Sequence, residues 1–265
     1  MIKLLVSDLD GTLLNHENNI QQEDIDAIQQ ATRQGIGFAI ATGRMDHEIQ
    51  SVLDILHQTG NGHRVSQNGA FVYDKDGKFI HANTFPHEHI QDIFAATISE
   101  KTLTSVSTET DTYVLEENWA TREMQKRIFH TLLIEPALKE QLGKSIHPSK
   151  ISVHGKTEDL QSLQQILDER FADHLDSFIS DPSCLDLMPK NICKGAAVEQ
   201  LMSILKIEPD EMACFGDSFN DVSMFELTKH SYAMAQAPDQ VKARTEHVVP
   251  NVAEAITDLR SKGLL

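Results

Sequence analysis

Cysteine is scarce in this chain of 265 residues: Cys184, Cys193 and Cys214 are the three present. An odd number without C-x-x-C spacing argues against a disulfide framework or a structural zinc site, and a reducing cytoplasm is the simplest compartment. Long apolar runs are missing too. Stretches such as Ile2–Val6 and Ile36–Ala41 fall far short of the ~18 residues a membrane span requires, and Met1 leads straight into a strand pattern, so no signal peptide is expected. Basic residues are outnumbered: 23 Lys and Arg against 40 Asp and Glu leave a net charge of -17. That balance opposes nucleic acid, whose phosphates are bound by clustered Lys and Arg. A small phosphorylated ligand would have to be drawn by local positive charge, against the overall field.

There are no tandem repeats, no low-complexity tract and no Pro/Gly/Ser-rich linker. With 40% hydrophobic and 24% charged residues, the composition is that of an ordinary soluble globular protein. At roughly 150 residues per domain the length favours two domains.

The N-terminal part alternates apolar strands with amphipathic helices: a strand at Ile2–Val6, a helix over Gln22–Gln34, a strand at Ile36–Ala41, a helix over Asp46–His57. Near-continuous apolar strands joined by helices predict a parallel sheet covered on both faces. The style resumes with a helix at Lys194–Leu205, a strand at Met212–Phe215, a helix from about Asn220, a strand at Ser231–Ala235 and a closing helix from about Val252. Between them, Phe71–Tyr73 and Lys78–Ile80 flank "DKDG" as a β-hairpin. From residue 84 to 189 shorter, threonine-bearing strands (104–108, 112–116, 151–154, 178–180) mix with a helix at Glu158–Phe171. The expectation is an α/β core of residues 1–83 and 190–265 with an α+β insert at 84–189.

Four stretches fall where a predicted strand ends or a helix begins. Asp8-Leu9-Asp10-Gly11-Thr12 follows the first strand, at the edge where open α/β sheets place their ligands; a plain Asp/Gly turn explains it as well. An EF-hand does not, because Thr12 and Asn19 stand where an acidic or Asn residue and a Glu are needed. Thr42-Gly43-Arg44 offers a hydroxyl and backbone N–H groups as an anion cradle, or is only a turn. Lys194 opens a helix and reads, alone, as a solvated surface lysine. Gly216-Asp217-Ser218-Phe219-Asn220-Asp221 supplies either helix-capping acids or, in Asp217, a hard oxygen ligand for Mg²⁺. Together they would bring Asp8, Asp10, Thr42, Lys194, Asp217 and Asp221 to one edge. Like-charged pairs about 4 Å apart cost roughly 4 kcal/mol each at an effective dielectric near 20, so such a cluster calls for a divalent cation alongside Lys194.

D-x-D-G-T, T-G-R, Lys and G-D-x-x-N-D, in this order, resemble the haloacid dehalogenase-like superfamily. The "SQNGA" loop, the insert and "LMPKNICKGAAVEQL" look like its Cof-type subfamily IIB branch of sugar-phosphate phosphatases with a C2-type cap, over essentially the whole chain. The resemblance implies a Rossmann-like core and a cap that selects substrate. It makes Asp8 the nucleophile, Asp10 the general acid-base, and Asp8, Asp10, Asp217 and Asp221 the Mg²⁺ group. Leu9, Thr42, Gly43, Arg44, Lys194 and Asn220 would hold the phosphate of a small metabolite. One departure stands at Gln236, where the family commonly has Asn. A phosphomutase and a non-catalytic phosphometabolite-binding regulator are the competing readings; a P-loop NTPase lacks its G-x-x-x-x-G-K-[ST].

Outside this group, His87 and His89 read as surface residues on a helix and Cys193 as a small buried hydrophobe. His154, Asp186 and Met188 are candidates for lining the insert's side of a cleft. Oligomeric state is not legible.

Overall fold

A computed structural model describes residues 1–15, 17–126 and 130–265. The chain divides into two compact units, Met1–Ala82 with Cys193–Leu265, and Asn83–Ile192.

In the first unit the chain runs β1 (Leu4–Ser7), α1 (Gln22–Arg33), β2 (Gly37–Ala41), α2 (Asp46–Ile55), β3 (Gly62–Ser66), β4 (Phe71–Tyr73) and β5 (Phe79–Ala82). The second unit follows with α3 (Ile90–Thr97), β6 (Leu103–Ser107), β7 (Thr112–Val114), α4 (Trp119–Gln125), β8 (Leu132–Ile134), α5 (Leu138–Gln141), β9 (Lys150–His154), α6 (Thr157–Phe171), β10 (Leu175–Asp181) and β11 (Cys184–Pro189). The first unit then resumes with α7 (Lys194–Leu205), β12 (Met212–Gly216), α8 (Val222–Phe225), β13 (Ser231–Met234), α9 (Asp239–Lys242), β14 (His247–Val249) and α10 (Val252–Ser261).

The sheet of the first unit has the order β14-β13-β12-β1-β2-β3-β4-β5. Pairing is parallel from β14 to β3, and β4 and β5 close that edge antiparallel. The apolar runs are continuous because both faces are covered. Leu5, Phe38, Ile40, Ala213 and Phe215 pack on the side of α1 and α10, whereas Leu4, Val6, Ala39, Ala41 and Cys214 pack on the side of α7. The chain builds outward from β1 in both directions, to β2 and β3 on one side and β12 to β14 on the other. That makes the carboxyl ends of β1 and β12 the switch point at which a crevice opens.

Buried Asp24 ties α1 to α10 by accepting a hydrogen bond from the Ala253 N–H at 2.7 Å. Burial pushes its carboxyl up to about 6.

The second unit is α+β, with a sheet ordered β10-β11-β9-β6-β7-β8. Val106, Ile151, Val153, Leu185 and Leu187 form its core with α3 and α6 residues such as Ile93, Phe94, Leu160 and Leu167. By the alternation of strands, Ser105, Ser152 and Asp186 share the other face in direct register. Asp186 is buried there and accepts from the Ser152 hydroxyl at 2.6 Å; burial works against its charge, yet Lys150 and that hydroxyl hold it below the usual carboxylate range.

Three local readings are corrected. His87 and His89 precede α3 instead of lying on it; His89 is half-buried in a stack on His174, with ring centroids 3.8 Å apart. Cys193 is only partly buried and caps α7, its Sγ accepting from the Ala196 N–H. The helix from about Asn220 is a single 3₁₀ turn, Phe219–Asp221, followed by the four residues of α8, because the turn is shaped by Asp221 accepting backbone hydrogen bonds.

Candidate active site

β1 ends at Ser7, so Asp8 is the first residue past the central strand, buried at 4% exposure. Its backbone N–H donates to the Phe215 carbonyl at 2.9 Å, locking it to β12. The chain then reverses through Gly11, whose φ of +78° suits glycine. A side chain at Gly11 would also collide with the Asp217 carboxylate. Glycine here sets how closely the two acidic loops approach.

Asp217 follows β12 directly. Carboxylate oxygens of Asp8, Asp217 and Asp221 all lie within 4.8 Å of one another. Lys194, at the first turn of α7, is 1% exposed despite its charge. Its Nζ donates to Asp8 Oδ1 at 2.5 Å and to Asp221 Oδ1 at 2.7 Å. Asp221 Oδ2 accepts the backbone N–H groups of Asp217 and Ser218, each at 2.9 Å. Both Asp221 oxygens are therefore engaged by protein donors, and Asp221 fixes Lys194 and the Asp217 loop at once.

Burial, with Asp221 beside it, raises the Asp8 carboxyl well above its usual range even against Lys194. Burial and Asp221 likewise push Asp217 up to about 6. For Lys194 burial opposes the charge, but Asp221 and Asp8 overcome it and raise its pKa. One lysine thus under-neutralises three converging carboxylates. The donor set is oxygen only, which is the set a hard divalent cation takes.

Asp10 lies at the mouth, with a side chain 53% exposed, gripped by Arg44: Nη2 to Oδ1 at 2.5 Å and Nε to Oδ2 at 2.9 Å. The structure thus joins Arg44 to Asp10, a bond that spacing in sequence does not reveal. The Leu9 side chain is wholly within the core, leaving only its backbone to face the turn. Thr42 is fully buried past the end of β2, and its Oγ1 accepts the Arg44 N–H at 3.2 Å.

The sequence reading assigned no role to Asn68 in "SQNGA". Gln67, Asn68 and Gly69 have φ of +48°, +57° and +103°, a left-handed run between β3 and β4. Asn68 donates its backbone N–H to the Thr42 carbonyl at 2.8 Å, and its Oδ1 accepts from Asn220 Nδ2 at 3.0 Å. It also lies against Gly43, where an added Cβ would stand 3.3 Å from its Oδ1. Asn68 therefore braces the second and fourth stretches against each other. Gln236, the departure noted above, donates to the Gly11 carbonyl at 2.6 Å and buttresses the first. By contrast, Asp74 of "YDKDGK" accepts from the N–H groups of Asp76 and Lys78 within the β4–β5 turn.

The sequence profile of the haloacid dehalogenase-like hydrolases matches residues 5–257. An HMP-PP phosphatase from Serratia proteamaculans is 30% identical over 92% of this chain and 87% of its own. The phosphatase YwpJ of Bacillus subtilis is 26% identical, over 97% and 94%. Among solved structures, TM0651 from Thermotoga maritima superposes with a TM-score of 0.84 at 28% identity, covering 97% of each chain. The fold also matches that of the HAD subclass IIB sugar phosphatase BT4131, with a TM-score of 0.81 at 22% identity over 99% and 100%. A profile match running from β1 into α10, on a chain whose motif residues meet at the sheet's switch point, is that of a member: the chain belongs to the haloacid dehalogenase-like hydrolases.

Proposed function

We propose that the protein is a Mg²⁺-dependent phosphatase that cleaves phosphomonoesters of small metabolites, sugar phosphates first among them, through an aspartyl-phosphate. The observation that carries this reading is the convergence of Asp8, Asp217, Asp221 and Lys194 at the carboxyl ends of β1 and β12.

An Asp8 carboxylate oxygen attacks phosphorus in line as the ester oxygen leaves, and Asp10 protonates that oxygen. Asp10 then takes a proton from the water that attacks the aspartyl-phosphate, freeing phosphate and restoring Asp8. Phosphoryl transfer depends chiefly on alignment and charge neutralisation, and a positioned general acid-base adds roughly 10²- to 10⁴-fold. Thr42, Gly43, Lys194 and Asn220 hold the phosphate, with the Leu9 backbone beneath it and Arg44 orienting Asp10. The residues that would hold Mg²⁺ are Asp8, the Asp10 carbonyl and Asp217, with Asp221 in support. When bound, the ion offsets the carboxylate repulsion and the charge of the phosphate.

The relatives' names support a small phosphorylated substrate. The second unit is proposed as the cap that selects it, and the polar sheet face carrying Ser152, His154 and Asp186 supports that role. Unpaired cysteines fit the reducing cytoplasm. No helix among the described residues is long and apolar enough to cross a membrane.

The test is phosphate release from p-nitrophenyl phosphate and a panel of sugar phosphates, nucleotides and cofactor phosphates with Mg²⁺, beside Asp8→Asn. Turnover should fall at least about 10³-fold in a folded Asp8→Asn protein. Wild-type-like turnover by that variant removes the nucleophile from this reading. Transfer of phosphate back to substrate without release would make the protein a mutase.

A further inference from the structure

The sheet of the first unit has a second end. Opposite the edge that gathers Asp8 and Asp217, β2 and β3 begin and α1 and α2 finish. A recess of about 380 Å³ lies there. Its charged or titratable lining is Arg33, His57, His63 and Lys75, and no carboxylate lines it among the described residues. On a chain of net charge -17 that is a local reversal of sign. Arg33 donates to the neutral amide of Gln29 at 2.9 Å and has no carboxylate partner among the described residues. Lys75 pairs with Asp76 at 2.8 Å on the exposed turn.

The deeper part is polar and incomplete. Gln58 and His63 are 3% and 5% exposed, and both line the recess. Gln58 Oε1 and His63 Nδ1 are buried without a hydrogen-bond partner, a state that native proteins keep rare. Burial lowers the His63 pKa, so its ring is neutral at pH 7 and offers one acceptor nitrogen. Two helices also end at this recess, and helix C-termini carry partial negative charge. A bare oxyanion meets that charge, whereas a ligand that brings hydroxyl donors as well as an anionic group satisfies both.

We infer that this recess binds a small hydroxylated anion, a sugar acid or sugar phosphate, with its anionic group at Arg33 and Lys75 and its hydroxyls toward Gln58 and His63. The inference stands apart from the proposed phosphatase reaction: the recess and the acidic crevice lie at opposite ends of α2, about 15 Å apart along its ten residues.

The test uses the full chain with ¹³C-labelled histidine, titrated in separate arms with gluconate, 6-phosphogluconate and inorganic phosphate, with His57 and His63 assigned by His57→Gln and His63→Gln. Gluconate is expected to move the His57 and His63 resonances saturably with a Kd of about 1 mM or below, and inorganic phosphate to bind more weakly. Arg33→Glu and the milder Arg33→Gln should each weaken gluconate at least about tenfold, with p-nitrophenyl phosphate hydrolysis unchanged. Movement with 6-phosphogluconate alone assigns the recess to sugar phosphates. No movement in any arm at about 10 mM, wild-type gluconate affinity in both Arg33 variants, or phosphate binding as tightly as gluconate overturns the inference.

Discussion

The side-chain amide of Asn220 donates to Asn68 Oδ1 at 3.0 Å, across 152 residues of sequence. The bond couples the loop after β12 to the left-handed turn after β3, and through it to Thr42 and Gly43. Asn68→Gly keeps the backbone conformation permissible and removes only the side-chain link. KM for p-nitrophenyl phosphate is expected to rise about fivefold while kcat falls less, for a hydrogen bond worth about 1 kcal/mol. Unchanged steady-state constants in a folded variant would show that Asn68 braces nothing the substrate uses.

Asp10 is more than half exposed and is held by Arg44, so its side chain is not part of the buried metal cluster. Asp10→Asn should therefore bind Mg²⁺ with nearly the wild-type midpoint in a thermal-shift titration while turnover drops about 10²- to 10⁴-fold. A rate equal to wild type would take the acid-base role from Asp10.

Three carboxylates facing one lysine make the folded state responsive to a cation. Adding Mg²⁺ at about 100 times its Kd should stabilise the wild type by ~2.7 kcal/mol, a rise of several degrees in Tm. Asp217→Asn removes a ligand and part of the repulsion together. It should show a smaller response to Mg²⁺, and a full response would place the ion elsewhere.

Asp24 supplies a pH test away from the crevice. Its folded-state pKa of about 6 exceeds the ordinary 3.8, so the folded state holds a proton that the unfolded chain releases. That stability is fully present below about pH 4 and is lost as pH rises through 6. Asp24→Asn, which keeps an oxygen to accept the Ala253 N–H, should exceed wild type by about 1–3 kcal/mol in urea unfolding at pH 7.5. The gap should close toward pH 4; a gap of equal size at both pH values would trace it to packing.

Elements whose burial is apolar were readable from sequence. Leu4–Ser7, Gly37–Ala41 and Lys194–Leu205 lie within a residue or two of expectation, because an apolar run or a helical stripe has few other ways to be covered. β3 escaped notice because Gly62-His63-Arg64-Val65-Ser66 looks polar. Its Arg64 is buried by an ion pair to Asp46 and by the Tyr73 ring, with the guanidinium carbon 5.1 Å from the centroid, partners that no local pattern announces. The same limit applies at the site. Spacing indicated that Asp8, Asp217 and Lys194 belong to one sheet edge, whereas the Arg44 grip on Asp10 and the Asn68 brace depend on χ angles and a left-handed turn fixed only in three dimensions.

β1 is central in the sheet, yet one of its two neighbours is β12, which begins at Met212. On a ribosome adding about 5–20 residues per second, the chain spends roughly 10–40 s with one side of this apolar strand unpaired. An open apolar edge invites pairing with other chains. The placement that gathers the acidic crevice therefore exposes the nascent protein to aggregation until its last fifth emerges, so its yield in a cell should depend on chaperone capacity more than its final stability would indicate.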